Sequence, residues 1–145
     1  MNYLFLDIDG VLNTPSTFPL FDPYCVANFN NLLERTNSPK IIISSSWRYL
    51  IHNKAMTLTG LEHLFFTHGV KMEANSIVGI TEKDEVIKDR SDQIKTFVGL
   101  RSLKNCVAID DLTLHLPDRH YQKVHQNAGL TKDDVDEICR KLSLQ

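Results

Sequence analysis

The chain has 145 residues, with 16 Lys+Arg against 18 Asp+Glu for a formal net charge of −2, and it is 42% hydrophobic and 23% charged. At roughly 100–200 residues per domain, this length predicts one domain over residues 1–145, large enough to bury a real core without staples. The composition is that of an ordinary globular protein, and the charge balance excludes general polyanion binding through a basic surplus, leaving only a local basic patch open.

In chain order, Tyr3–Leu6 is an unbroken apolar run, as in a strand buried on both faces. Pro15, Pro19 and Pro23 hold the next segment in loop. A helix is expected from Tyr24 to Arg35, with Val26, Phe29, Leu32 and Leu33 on one face, and Asn37-Ser38-Pro39 stops it. Lys40–Ser44 is a second strand, rich in β-branched residues. A helix is expected over Leu50–Thr57, and Leu61–Phe66 is either a helical turn or part of the connection, with Phe65 and Phe66 in the core. Ile77–Ile80 is the candidate third strand. Ser91–Val98 reads as a helix capped by Ser91, with Ile94, Phe97 and Val98 inward. Cys106–Ile109 is a strand ending on Asp110-Asp111, and Tyr121–Val124 a short last strand. Thr131 caps a terminal helix carrying Val135, Ile138 and Leu142, with acids in its first turn and Arg140 and Lys141 in its last, matching the helix dipole.

Short apolar runs alternating with amphipathic stretches predict an α/β fold with a parallel sheet. No run approaches the roughly 20 apolar residues of a membrane helix. The first residues lack a basic flank and reach Asp7 too soon for a signal peptide. Cys25, Cys106 and Cys139 are odd in number and lack CxxC spacing, which predicts neither a disulfide frame nor zinc, but a reducing, cytoplasmic setting. A protein delivered into a host cytosol would read the same way. Cys106, beside an apolar strand, is expected in the core.

Three strands end in polar clusters: Asp7-Ile8-Asp9-Gly10, Ser44-Ser45-Ser46-Trp47-Arg48 and Asp110-Asp111. Open parallel sheets bind ligands outside the carboxyl ends of their strands, so the clusters can share one crevice. Carboxylates gathered there repel one another unless a cation or a proton intervenes, and all-oxygen ligation favours a hard ion, Mg²⁺ being usual beside phosphate. Asp7 and Asp9, two apart, point the same way on a continuing strand, and Gly10 lets the chain turn sharply. One acid can attack while its neighbour handles the proton. Taken singly, the clusters are an Asp-Gly turn, a loop or helix cap, and a solvated turn; only their joint order carries weight. Trp47 reads as a packing residue beneath the second cluster rather than a stacking surface, and Arg48 either touches phosphate or lies on the surface.

Leu6–Asn13, Ile43–Arg48 and Val107–Asp111 resemble, in order, the first, second and fourth motifs of the haloacid dehalogenase (HAD) superfamily of phosphohydrolases. With Arg90 and Gly129-Leu130-Thr131, the pattern is similar to the small HAD domains of Swiss-army-knife RNA repair proteins, over nearly the whole chain. The resemblance implies a three-layer Rossmann-like fold with strand order 5-4-1-2-3. It implies Asp7 as nucleophile and Asp9 as general acid and base. Mg²⁺ would be held by Asp7, Asp110, the backbone carbonyl of Asp9 and, directly or through water, Asp111. Ser45, or Ser44 one place earlier, would bind phosphate beside Gly10. The third-motif cation would be Arg90, with Lys88 and then Lys83 as alternatives. The spans Asn13–Pro39 and Gly60–Thr81 are too short for an inserted lid, which implies a cap-less open cleft suited to phosphate on a phosphoprotein or a nucleic-acid end. A catalytically silent phospho-ligand or partner-binding module and a phosphotransferase are the rival readings.

Overall fold

The computed structural model describes all 145 residues. The strands are β1 (Tyr3–Leu6), β2 (Lys40–Ile43), β3 (Ile77–Ile80), β4 (Cys106–Asp110) and β5 (Tyr121–Lys123). The α-helices are α1 (Pro23–Arg35), α2 (Arg48–His52), α3 (Leu58–Thr67), α4 (Arg90–Arg101) and α5 (Lys132–Ser143). The strands form one parallel sheet in the order β3-β2-β1-β4-β5, the implied 5-4-1-2-3 order read from the other edge. No helix is long and apolar enough to cross a membrane.

Strand alternation sorts the core into two faces. Leu4 and Leu6 of β1, Ile41 and Ile43 of β2 and Val107 and Ile109 of β4 join the larger cluster, with Phe29 and Leu32 of α1, Phe65 of α3 and Ile138 of α5. Phe5, Ile42, Cys106 and Ala108 face the other way, onto Ile94 and Phe97 of α4. Helices therefore cover both faces of a sheet whose central strand is wholly apolar, as parallel sheets require.

Most predicted elements stand with shifted ends. Val26, Phe29, Leu32 and Leu33 are all buried on α1, whose N-cap is Asp22 with Pro23 as first helical residue. Thr131 and Asp134 form a reciprocal capping box on α5. Four expectations are corrected. The helix expected over Leu50–Thr57 occupies Arg48–His52, because the backbone N–H groups of Ala55 and Met56 both turn back to the Leu50 carbonyl. The ambiguous Leu61–Phe66 segment is a full helix starting at Leu58 behind the Thr57 cap. Phe65 is buried but Phe66 is 40% exposed, since neighbours on a helix face different sides. The cap of α4 is Asp89, whose carboxylate accepts from the Ser91 and Asp92 N–H groups; Ser91 lies in the first turn, and its hydroxyl accepts from His115 N–H at 2.8 Å.

The ladder runs one residue past the strand ends. Asp7 N–H donates to Ile109 O (3.0 Å), Ser44 N–H to Leu6 O (3.1 Å) and Thr81 N–H to Ile43 O (3.0 Å). With Asp110 paired to Lys123, one row of polar residues, Thr81, Ser44, Asp7, Asp110 and Lys123, crosses the carboxyl edge of the sheet.

Candidate active site

Asp7 shares the pleat parity of Phe5, and Asp110 that of Ala108, so both carboxylates face the side of the sheet that α4 covers. Arg90, the first residue of α4, meets them there. Its guanidinium Nη1 lies 2.9 Å from Asp110 Oδ2 and 3.7 Å from Asp7 Oδ1. Asp110 is fully buried, and its other oxygen, Oδ1, accepts the Leu112 N–H at 2.9 Å. Lys88 and Lys83 are exposed and pair with none of these acids, so Arg90 is the cation the fold brings to the cluster.

Asp7, Asp110 and Asp111 each offer a carboxylate oxygen, and these oxygens lie within 4.8 Å of one another. Burial is the main cause that pushes the Asp7 carboxyl up to about 9; the Asp110 charge and a hydrogen bond with Asp111 add to it, and Arg90 opposes it. The Asp110 carboxyl is raised by burial despite Arg90. Burial works against the Arg90 charge, but Asp110 and then Asp7 more than offset it and hold the guanidinium above its ordinary range. Three carboxylates facing one guanidinium leave negative charge unmatched in a buried setting. A hard divalent cation with oxygen ligands is what this donor set fits. Gly10 makes the packing possible. Its φ of +84° suits glycine, and a Cβ there would stand 2.5 Å from Asp111 Oδ2.

The Asp9 carboxylate stands apart from this trio. The indole N–H of Trp47 donates to its Oδ2 at 3.1 Å, and the Asn13 side-chain amide donates to Oδ1 at 2.9 Å. Asn13 is itself fixed by the Gly10 N–H, which donates to its Oδ1 at 3.0 Å. Trp47 thus packs against Phe21, as expected of a residue beneath the second motif, and also orients Asp9. The sequence reading gave neither Trp47 nor Asn13 this role; the spacing Asp9–Asn13 within a tight turn was the available signal for one of them.

Ser44 and Ser45 are both buried. The Ser44 hydroxyl has no partner in the chain, and the Ser45 oxygen accepts the Trp47 backbone N–H at 3.2 Å, so both O–H groups remain free to donate. Arg48 is neither on the surface nor at the acid cluster. It is 2% exposed, and its guanidinium donates to the carbonyls of Ser45 (3.0 Å) and Glu82 (3.1 Å) and to the side chains of Asp84 (2.9 Å) and Gln93 (3.1 Å).

A parallel sheet in this order, with acids ending the adjacent inner strands β1 and β4 and a cation from the helix before β4, defines a Rossmann-like HAD domain. A family model for the HAD domain in Swiss Army Knife RNA repair proteins matches residues 3–135, and the chain belongs to that family. Membership supports a phosphoester-hydrolysing type of enzyme in general terms, in a family that generally uses Mg²⁺. No curated protein and no solved structure matches the chain.

Proposed function

We propose that the chain is a Mg²⁺-dependent phosphomonoester hydrolase working through an aspartyl-phosphate, on phosphate carried at a nucleic-acid end or on a phosphoprotein. The observation that carries this reading is the division of labour among the acids. Asp7, Asp110 and Asp111 converge on one point beside Arg90, while Asp9 is held separately by two N–H donors.

Asp7, Asp110 and Asp111, with the Asp9 backbone carbonyl, would hold Mg²⁺, which when bound offsets the charge of phosphate and nucleophile together. An Asp7 carboxylate oxygen attacks phosphorus as the bond to the leaving oxygen breaks, and the Asp9 carboxylic acid gives that oxygen its proton. The Asp9 carboxylate then takes a proton from water, whose oxygen attacks phosphorus. The bond to Asp7 breaks, releasing inorganic phosphate and restoring the Asp7 carboxylate. Arg90 and the free hydroxyls of Ser44 and Ser45 donate to the non-bridging oxygens, beside the backbone at Gly10.

The test is Asp7→Asn. With an aryl phosphate and Mg²⁺, turnover should fall by at least about three orders of magnitude. The melting temperature should not fall, because a buried carboxylate is replaced by a neutral amide. Full turnover in this variant would overturn the assignment of Asp7. Absence of wild-type hydrolysis on aryl, nucleotide and phosphopeptide substrates would favour a silent binding module.

A further inference from the structure

A cavity of about 240 Å³ is lined by Asp9, and its walls include Asn13, Thr14, Phe18, Asp111 and Gln126 but not Arg90. The wall is built rather than incidental. The Thr14 N–H donates to Thr17 Oγ1 (3.0 Å), and the Phe18 and Leu20 N–H groups turn back to the carbonyls of Thr14 (2.9 Å) and Thr17 (2.9 Å). Beneath the surface, the Leu130 N–H donates to the Val11 carbonyl at 2.8 Å, tying the loop that carries Gln126 to the turn after Asp9. Gly129, at φ +65°, allows that closeness, since a Cβ there would collide with Cys25 Sγ.

Phe18, 61% exposed, is the only aromatic residue in the lining, and Gln126, from a different loop, is the lining residue with a side-chain amide besides Asn13. We infer that this cavity seats the nucleoside of a terminal nucleotide, with its base against the Phe18 ring and its edge on the Gln126 amide. Three features select that occupant. The cavity adjoins Asp9, the residue that protonates the leaving oxygen, so it receives the leaving group rather than the phosphate. Its lining carries Asp9 and Asp111 but no Lys or Arg, so a second phosphate would be repelled there. An aromatic face with an adjacent side-chain amide is the pairing by which unstacked bases are held, and Gln suits the hydrogen-bonding edge of adenine. A phenol ring, as in phosphotyrosine, would use Phe18 but has no edge for Gln126. Because the wall is already ordered by its own hydrogen bonds, seating the base would immobilise little further.

This inference rests on the hydrolase reading for its catalytic readout, and the experiment separates the two. Adenosine 5′-monophosphate and adenosine 3′-monophosphate are compared with ribose 5-phosphate, which lacks the base, using the full chain and Mg²⁺. In the wild type, at least one nucleotide should exceed ribose 5-phosphate in kcat/KM by about tenfold, in keeping with base stacking on an aromatic residue. Phe18→Ala should erase that ratio, mainly through KM, Phe18→Trp should retain it, and Gln126→Ala should reduce it. Equal kcat/KM for all three esters, or a Phe18→Ala loss shared equally with ribose 5-phosphate, would overturn the inference. A phosphotyrosyl peptide that depends on Phe18 while Gln126→Ala is silent would also overturn it, in favour of a phenol ring. If no ester is hydrolysed, the hydrolase reading falls, and calorimetric binding of the same compounds decides the cavity. Phe18-dependent preference for the nucleotide would support it, and no preference would sink it.

Discussion

At the scale of single residues, Asp9 depends on its neighbours for direction. In the proposed hydrolysis Asp9 delivers a proton to one oxygen and later takes one from water, so it has to keep its orientation through both steps. The Trp47 indole and the Asn13 amide each hold one Asp9 oxygen. Trp47→Phe keeps an aromatic, though smaller, ring against Phe21 but removes the N–H. Loss of one hydrogen bond to a charged group is worth about 1.5–3 kcal/mol, so kcat should fall roughly ten- to a hundredfold. The melting temperature should move little, because the packing remains. Steady-state kinetics on an aryl phosphate beside a thermal melt checks both halves. Unchanged kcat would mean that Asn13 alone fixes Asp9.

At the scale of elements, the segment leaving β2 and the segment entering α4 carry the two sides of the proposed phosphate site, and neither belongs to the regular sheet. Arg48 joins them. Its guanidinium holds the Ser45 and Glu82 carbonyls, and its contacts with Asp84 and Gln93 reach the loop before Arg90 and the first turns of α4. The planar fork of arginine suits such divergent acceptors, whereas the point charge of lysine does not. Arg48→Met would leave buried acceptors unpaired, at about 1–3 kcal/mol each. It should lower stability by at least about 2 kcal/mol in a denaturant melt and raise the inhibition constant for inorganic phosphate. Arg48→Lys should recover part of the stability and less of the phosphate affinity. A variant as destabilised as Arg48→Met, but altered at Ile138 in the distant core, should keep its phosphate affinity, which separates positioning from general loosening.

At the scale of the whole molecule, the buried acid cluster carries a stability cost that the proposed cation would relieve. The Asp7 carboxyl is raised from 3.8 to about 9, chiefly by burial, so the folded state holds that proton more tightly than the unfolded chain. Its contribution to stability is therefore complete below about pH 4 and is lost as pH rises through about 9. Asp110 shifts in the same direction. Without a divalent ion, the melting temperature should decline between about pH 5 and pH 9, and Asp7→Asn should flatten the decline. Mg²⁺ should raise it, more at pH 8 than at pH 6, with protons released on binding. At a hundredfold excess over Kd the gain is about 2.7 kcal/mol, a shift of several degrees. A melting temperature indifferent to Mg²⁺ at pH 8 would rule out the cation site.

How much of this was legible in the sequence follows from the range of each interaction. The strands, the apolar face of α1 and the cap of α5 are written in local periodicity and in residues three or four apart, so their places were readable. The acids were readable too, because parallel strands end on one edge of the sheet and a motif at each end must meet its neighbours there. Element ends were not, since turns such as the one that closes α2 on Leu50 depend on backbone pairing that no local pattern specifies. Nor was the role of Arg48, whose partners beyond its own turn lie 34 to 45 positions away. Trp47 read as a packing residue because its N–H meets Asp9, 38 positions earlier, only once the chain has folded back. The sequence by itself determined the elements, their parallel order and the acids at their ends. Only the tertiary structure decided which neutral and basic side chains hold those acids in place and which loops wall the cavity beside Asp9, because burial and hydrogen bonds between distant segments exist only once the chain has packed.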